Sequence, residues 1–196
     1  MKFKLKGIKI GKNEWVSFIL TMIATLFGAF IAIWLTNASI ESKEKEDTIK
    51  ILHTTKSVLS NTFEYSKELN NAVLKFEKDT VNYTEERIES IKLNNPIPYP
   101  DLLRTIISNE LITKNVSESS HSSIFNDLIN LRKLAKYETA HYYQKTLEEM
   151  MLQVELEIAL LEGEIDLNEL ESKVEIGKEV IDNRYSTENI MEIDSE

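Results

Sequence analysis

WVSFILTMIATLFGAFIAIWL occupies residues 15–35, and no charged residue interrupts the chain from Trp15 through Ile40. A helix rises about 1.5 Å per residue, so a run of this length crosses the roughly 30 Å hydrocarbon core of a bilayer. Trp15 and Trp34 stand near its two ends, where indole rings suit the headgroup layers. The run predicts a transmembrane signal-anchor helix over residues 15–37, with the lipid bilayer as its first partner. Thr36-Asn37-Ala38 imitates a small-x-small cleavage site. A cleaved signal peptide is therefore the rival expectation, but the apolar run outlasts the roughly 7–15-residue core of such a peptide.

The flanks suggest an orientation. Lys2, Lys4, Lys6, Lys9 and Lys12 precede the run against Glu14 alone. Lys43, Lys45, Lys50 and Lys56 follow it, diluted by Glu41, Glu44, Glu46 and Asp47. An excess of Lys marks the cytoplasmic side. The bias is small, but a short tail suits a signal-anchor, so residues 1–14 are expected in the cytoplasm and the large domain outside. Inside the run, Ala24, Gly28, Ala32 and Thr36 recur every fourth residue on one helical face. Such a small-residue face lets two membrane helices approach closely, and simple lipid exposure is the plainer alternative.

Gly28-Ala29-Phe30-Ile31-Ala32, then Asn37, then the charged collar Glu41 to Asp47, resembles the opening of uncharacterised bacterial single-pass membrane families, domains of unknown function. Those families pair a G-x-x-I-A membrane stretch with a Glu/Lys collar and a long helix. The likeness covers about residues 15–64 and lacks the Trp often found beside the Asn. It implies a topology and no activity.

Composition limits the rest. About 150 residues remain for one modest domain. A net charge of −10 argues against nucleic acid, which needs a face rich in Lys and Arg. Cysteine is absent, so disulfides and thiolate chemistry are excluded. Only 5 Gly and 3 Pro against abundant Glu, Lys and Leu predict an all-α chain.

Beyond the collar, Ile49, Leu52, Thr55, Leu59, Thr62, Ser66, Leu69, Val73, Phe76, Thr80 and Tyr83 recur at helical steps. No Gly or Pro interrupts residues 30–94. One helix is therefore expected from the membrane to about Leu93, reaching about 75 Å beyond the bilayer. Pro96, Pro98 and Pro100 must end it. Asp101 is expected to cap a short helix over 102–112, and Ser117 to Ser123 to form a polar loop. A third helix is expected over residues 123–162, with a stripe that includes Leu128, Leu131, Tyr142, Met150, Val154 and Leu161. Gly163 ends it in the left-handed conformation, and Asp166 with Glu169 opens a last helix whose face is Leu167, Leu170, Val174, Gly177 and Ile181. Neither long stripe buries its face alone, so the first and third helices should pair as an antiparallel hairpin. The expected plan is a cytoplasmic tail (1–14), an anchor (15–37), a helical bundle (38–185) and an acidic flexible tail (186–196).

Chemistry-bearing motifs are few. Glu138–His141 and Glu118–His121 match Glu-x-x-His, the pairing that di-iron bundles use twice on separate helices. The two pairs here lie too close in sequence for separate bundle helices, and a Glu-rich chain produces chance matches. Glu138 and His141 are thus weak metal candidates beside the expectation of no metal and no cofactor. His53 is expected to be half-buried. Tyr137, Tyr142 and Tyr143 should pack in or beside the core. No catalytic triad order, phosphate-binding loop or HExxH motif occurs, and the chain is not expected to be an enzyme. A membrane-anchored interaction or scaffold module is the first functional expectation. Its partner would be a protein, with self-association among the options. A ligand- or metal-sensing domain is the second, and a cytoplasm-facing regulatory domain of reversed topology the third.

Overall fold

A computed structural model describes residues 12–79, 81–136 and 140–193. These residues are all-α, with no strand among them. The helices are α1 (Lys12–Lys78), α2 (Glu85–Asn94), α3 (Asp101–Ile107), α4 (Glu110–Asn115), α5 (Glu118–Lys136), α6 (Ala140–Glu162) and α7 (Leu167–Ile193). The chain divides into two compact units, residues 1–44 and 45–196.

In the first unit, α1 carries the apolar run. Every side chain from Trp15 to Lys43 is exposed. The helix is long and apolar enough to cross a membrane, and none of its apolar window is buried within the chain.

The second unit is a helical bundle. Leu52, Thr55, Leu59 and Ser66 of α1 are buried on one face, as the helical spacing predicts, and Thr48 extends that face. The expected continuation to Leu93 does not occur, because α1 ends at Lys78. The backbone amide and side chain of Asn82 both donate to the Asp79 carboxylate, at 3.3 and 2.9 Å. Short polar side chains that bond the local backbone compete with the helix, and no proline is needed. The Phe76 and Tyr83 rings stack across the turn. α2 then folds back along α1, with Lys92 Nζ 2.9 Å from Glu77 Oε1.

The proline segment is fastened by two tyrosines. Tyr143 Oη donates to Pro98 O, and Tyr99 Oη donates to Leu128 O at 3.3 Å. Asp101 does not cap α3. It is the first residue of that helix, after Pro100, and pairs with Arg132 at 3.6 Å. The short helix expected over 102–112 is two helices, because Asn109 accepts from Leu111 N at 2.9 Å and starts α4. The expected polar loop is mostly the first turn of α5, capped by Ser117, whose Oγ accepts from Ser120 N at 3.3 Å.

The third helix is also two. α5 and α6 are separate and pack against each other. Gln153 lies on Ser123, and Glu157 lies on Ser117, so the pair runs antiparallel. A helical stripe does not show where a chain folds back when the two halves share one period.

α1 meets α6, but the closest helix pairs of the bundle are α5 with α6 and α6 with α7, so the expected main hairpin of the first and third helices does not dominate. Lys56 Nζ meets Glu155 Oε1 at 2.8 Å. Further along α1, Ser66 lines a cavity with Ile97, one residue from the Pro98 carbonyl that receives the Tyr143 hydroxyl. Numbers thus rise along α1 as they fall along α6. Leu69 was expected against the middle of the third helix; it is half-buried instead, and shares that cavity with Pro96.

Gly163 ends α6 at φ 82°, as expected. Asp166 N donates to Glu169 Oε2 at 3.0 Å, and Glu169 N returns the bond to Asp166 Oδ1 at 2.9 Å, the expected capping pair. α7 packs antiparallel on α6, with Leu170, Ile181 and Tyr185 buried. Leu167 was expected inside and is 53 % exposed. α7 continues to Ile193, through much of the stretch assigned to the acidic tail.

Candidate functional site

The predicted metal residues do not converge. Glu138 and Tyr137 lie outside the described residues. His141 is half-buried, with its Nε2–H directed at Tyr185 O at 2.9 Å and its ring edge-on to Tyr185. His121 sends Nε2–H to Ile107 O at 3.1 Å. Each imidazole thereby fastens two helices through a backbone carbonyl. Among the described residues, no three His, Asp or Glu side chains cluster closely enough to hold a metal ion. His53 is exposed, not half-buried. Tyr143 is fully buried and Tyr142 is 57 % exposed.

The membrane-face candidates are all exposed. Trp15 and Trp34 are 52 % and 64 % exposed. Ala24, Gly28, Ala32 and Thr36 lie on one face of α1, and nothing stands within 4 Å of the position a Gly28 side chain would take. Thr36 Oγ1 bonds Ala32 O of its own helix at 2.8 Å.

The polar grouping of interest lies elsewhere, where α5, α6 and α7 meet. Ser123 is its hub. Its hydroxyl receives Gln153 Nε2 at 2.8 Å and Lys178 Nζ at 3.3 Å, and faces Asp127 Oδ2 at 3.5 Å. On α6, Lys145 bridges Glu149 at 3.6 Å and Asp182 of α7. Burial pushes the Asp127 carboxyl above its ordinary range, against the pull of Lys178 and of the Ser123 hydroxyl. Burial does the same to Glu149 against Lys145 and Lys178, while Asp127 and Asp182 add to the rise. The Asp182 bond holds the Lys145 ammonium above its usual range.

This seam has a sequence signal. Ser123/Asp127, Lys145/Glu149/Gln153 and Lys178/Asp182 are polar stripes at spacing four on three consecutive helices. Side chains at that spacing share a helix face.

One fully buried acid has a structural explanation. Glu157 is fully buried on α6 and accepts both the backbone N–H of Ser117, at 3.2 Å, and its hydroxyl. A carboxylate at a helix N-terminus meets unpaired amides and a favourable dipole. Glu157 thus secures the start of α5.

One cavity, of about 120 Å³, opens between the end of α1, α2 and the proline segment, lined by Leu69, Asn70, Val73, Glu77, Lys92 and Ile97. Its two charges pair with each other. No protein-family model, curated protein or solved structure matches the chain.

Proposed function

We propose that the protein is a membrane-anchored helical interaction module, held in the bilayer by residues 15–37 and carrying a bundle that engages a protein partner. The observation that supports the anchor is the exposure of every side chain from Trp15 to Lys43 in an uninterrupted helix. That band includes Phe18, Leu20, Leu26, Phe27, Phe30, Ile33 and Leu35, each at least 55 % exposed. Soluble proteins rarely expose contiguous apolar patches beyond a few hundred Å², and larger ones mark a membrane or protein contact. Lipid is the medium that suits an apolar helix of this length with a tryptophan near each end.

The N-terminal tail is cytoplasmic and the bundle lies outside in this proposal. Five Lys against one acid before the anchor favour that orientation over the four Lys that follow it. The partner is a protein, a second copy of this chain included.

Alkaline carbonate washing of membranes tests the anchor: the protein stays in the pellet, and release into the supernatant refutes an integral span. Protease added outside cells with opened outer barriers tests orientation. The bundle is cut along with known outside domains, and its survival reverses the topology. Cross-linking in intact membranes followed by purification in mild detergent tests partnership. A discrete adduct, homomeric or heteromeric, is expected, and monomer alone overturns the interaction role.

A further inference from the structure

The cavity between the end of α1, α2 and the proline segment has two unlike ends. Ser66, Asn70, Val73 and Glu77 follow one another at helical spacing along one face of α1 and line it in that order. The Ser66 end is closed. Ser66 is 2 % exposed, and its hydroxyl already donates to Phe63 O at 2.8 Å. Leu69, Val73, Leu74 and Ile97 give the interior apolar walls, and the half-buried Asn70 interrupts them. At the other end Glu77 and Lys92 stand toward the surface, with side chains 41 % and 33 % exposed, and face each other at 2.9 Å.

Size limits the guest. The cavity holds about 120 Å³. That is well below the roughly 300–1,000 Å³ of a pocket for a drug-sized molecule, and close to an engineered apolar cavity of about 150 Å³ that takes benzene. A group of only a few carbon atoms therefore fits inside. A long alkyl chain would also have to strip water from the Asn70 carboxamide.

The mouth selects the head group. A lone anion would take Lys92 and leave Glu77 without its partner, and a lone cation would do the reverse. A neutral apolar guest gains nothing from either. A zwitterion with adjacent charges gives each side chain a new partner, so the mouth stays neutral. Opening the existing pair costs little, because exposed ion pairs contribute little. α2 has no buried residue, so the wall that carries Lys92 can move outward without uncovering a core. We propose that this cavity binds a free α-amino acid with a small aliphatic side chain, of the size of valine or leucine. The side chain enters between Val73, Leu74 and Ile97, the carboxylate meets Lys92 and the ammonium meets Glu77.

Titration calorimetry on the full chain in phosphatidylcholine nanodiscs tests this, with no detergent present to compete for the cavity. L-Valine or L-leucine should bind with a Kd below about 1 mM. Each buried methylene contributes about fourfold in affinity, so glycine should bind at least about tenfold more weakly. 4-Methylpentanoate and isopentylamine keep the leucine side chain and one charge each, and both should also lose about tenfold or more. Lys92→Met and Glu77→Gln should each weaken leucine binding by about tenfold. Val73→Phe fills the cavity and should abolish binding while helical circular dichroism is kept. Lys75→Ala, exposed on α1, should bind as the parent does. If Val73→Phe does not fold, the two changes at the mouth still decide the matter. No binding of either amino acid at 1 mM, equal binding of the singly charged analogues, or an affinity that survives the changes at the mouth or a folded Val73→Phe overturns the site. None of these readouts depends on the anchor or on a protein partner, so failure here leaves that reading standing.

Discussion

Replacing Tyr143 by Phe removes one oxygen atom and keeps the ring. Tyr143 is fully buried, and its hydroxyl donates to the carbonyl of Pro98. That bond ties the segment after α2 to the middle of the bundle, so its loss reports on the path of the chain between α2 and α3. A buried acceptor that loses its donor costs about 1–3 kcal/mol. Pro98 is only half-buried, so water can partly replace the hydroxyl, and about 1–2 kcal/mol is expected. In a domain of this size 1 kcal/mol lowers Tm by about 2–4 °C, so Tyr143→Phe should melt about 2–8 °C below the parent. Tyr99→Phe is the internal comparison. Its hydroxyl meets Leu128 O at 3.3 Å in a half-buried position, and it should cost less than about 1 kcal/mol. The assay is helical circular dichroism of the full chain in micelles, followed against temperature. A Tyr143→Phe protein that melts with the parent, or a larger loss in Tyr99→Phe, would refute the anchoring geometry. Alkali gives an independent check. Burial, reinforced by Tyr99, holds the Tyr143 hydroxyl far above the ordinary tyrosine range. A group raised in the folded state supports that state below its unfolded value, here about 10, and the support is lost as pH rises through the folded value. The parent should therefore lose stability above about pH 10, and Tyr143→Phe should lose less over the same range.

Three more outcomes are expected. Leu59 is fully buried and Leu69 is half-buried beside a cavity, so Leu59→Ala should cost about 2–5 kcal/mol and Leu69→Ala distinctly less; equal Tm losses would contradict the packing of α1. A methyl group on Gly177 would overlap the end of the Leu152 side chain. Gly177→Ala should gain about 1 kcal/mol of helix propensity only in a Leu152→Ala background, and chemical denaturation of all four proteins should expose that coupling. His141→Ala should lower stability by about 1 kcal/mol through loss of its bond to Tyr185 O. Elemental analysis should find the same negligible metal content before and after, and about one metal per chain, lost in the variant, would defeat that expectation.

Periodicity exposed faces but not folds of the chain. The α1 stripe, the left-handed stop at Gly163 and the Asp166–Glu169 capping pair were legible because each rests on residues within a few turns of one another. The breaks at Asp79 and between α5 and α6 were not. At Asp79 the helix loses to bonds with Asn82, and the sequence there contains no proline or glycine to announce it. α5 and α6 carry stripes of the same period, so a single longer helix fitted as well until their packing together was visible. Leu167 shows a similar limit. It fell on the apolar face of α7 by spacing, yet it is 53 % exposed while Leu170, one turn on, is buried. Glu-x-x-His is a metal-binding pattern only where two such pairs converge on separate helices. The seam at Ser123 had a signal of comparable size, polar residues every fourth position on three helices. Its meaning depends on three faces turning toward one another, and no single helix records that.

The hydroxyls of α1 are satisfied in two ways. In the first unit Thr21 bonds Ser17 O at 2.9 Å, Thr25 bonds Thr21 O at 2.8 Å, and Thr36 bonds Ala32 O at 2.8 Å. Each hydroxyl is satisfied by the preceding turn, as the bilayer placement proposed for this segment would require. In the second unit Thr54, Thr55 and Thr62 follow the same rule. Thr48 adds a contact with another helix. It is fully buried, and its Oγ1 receives Asn115 Nδ2 of α4 at 2.9 Å. A threonine that bonds its own helix tolerates any apolar neighbour and specifies none. Thr48 also meets α4, where its Oγ1 accepts from Asn115 and lies 3.5 Å from Leu111 O. Thr48→Val keeps the shape and leaves Asn115 without that acceptor, which costs about 1–2 kcal/mol. Thr25→Val loses nothing outside its own turn. Thr48→Val should therefore lower Tm by about 2–8 °C and increase exchange at α4 amides, while Thr25→Val changes neither. Equal behaviour of the two variants would mean that the Thr48–Asn115 bond does not hold α4 in solution.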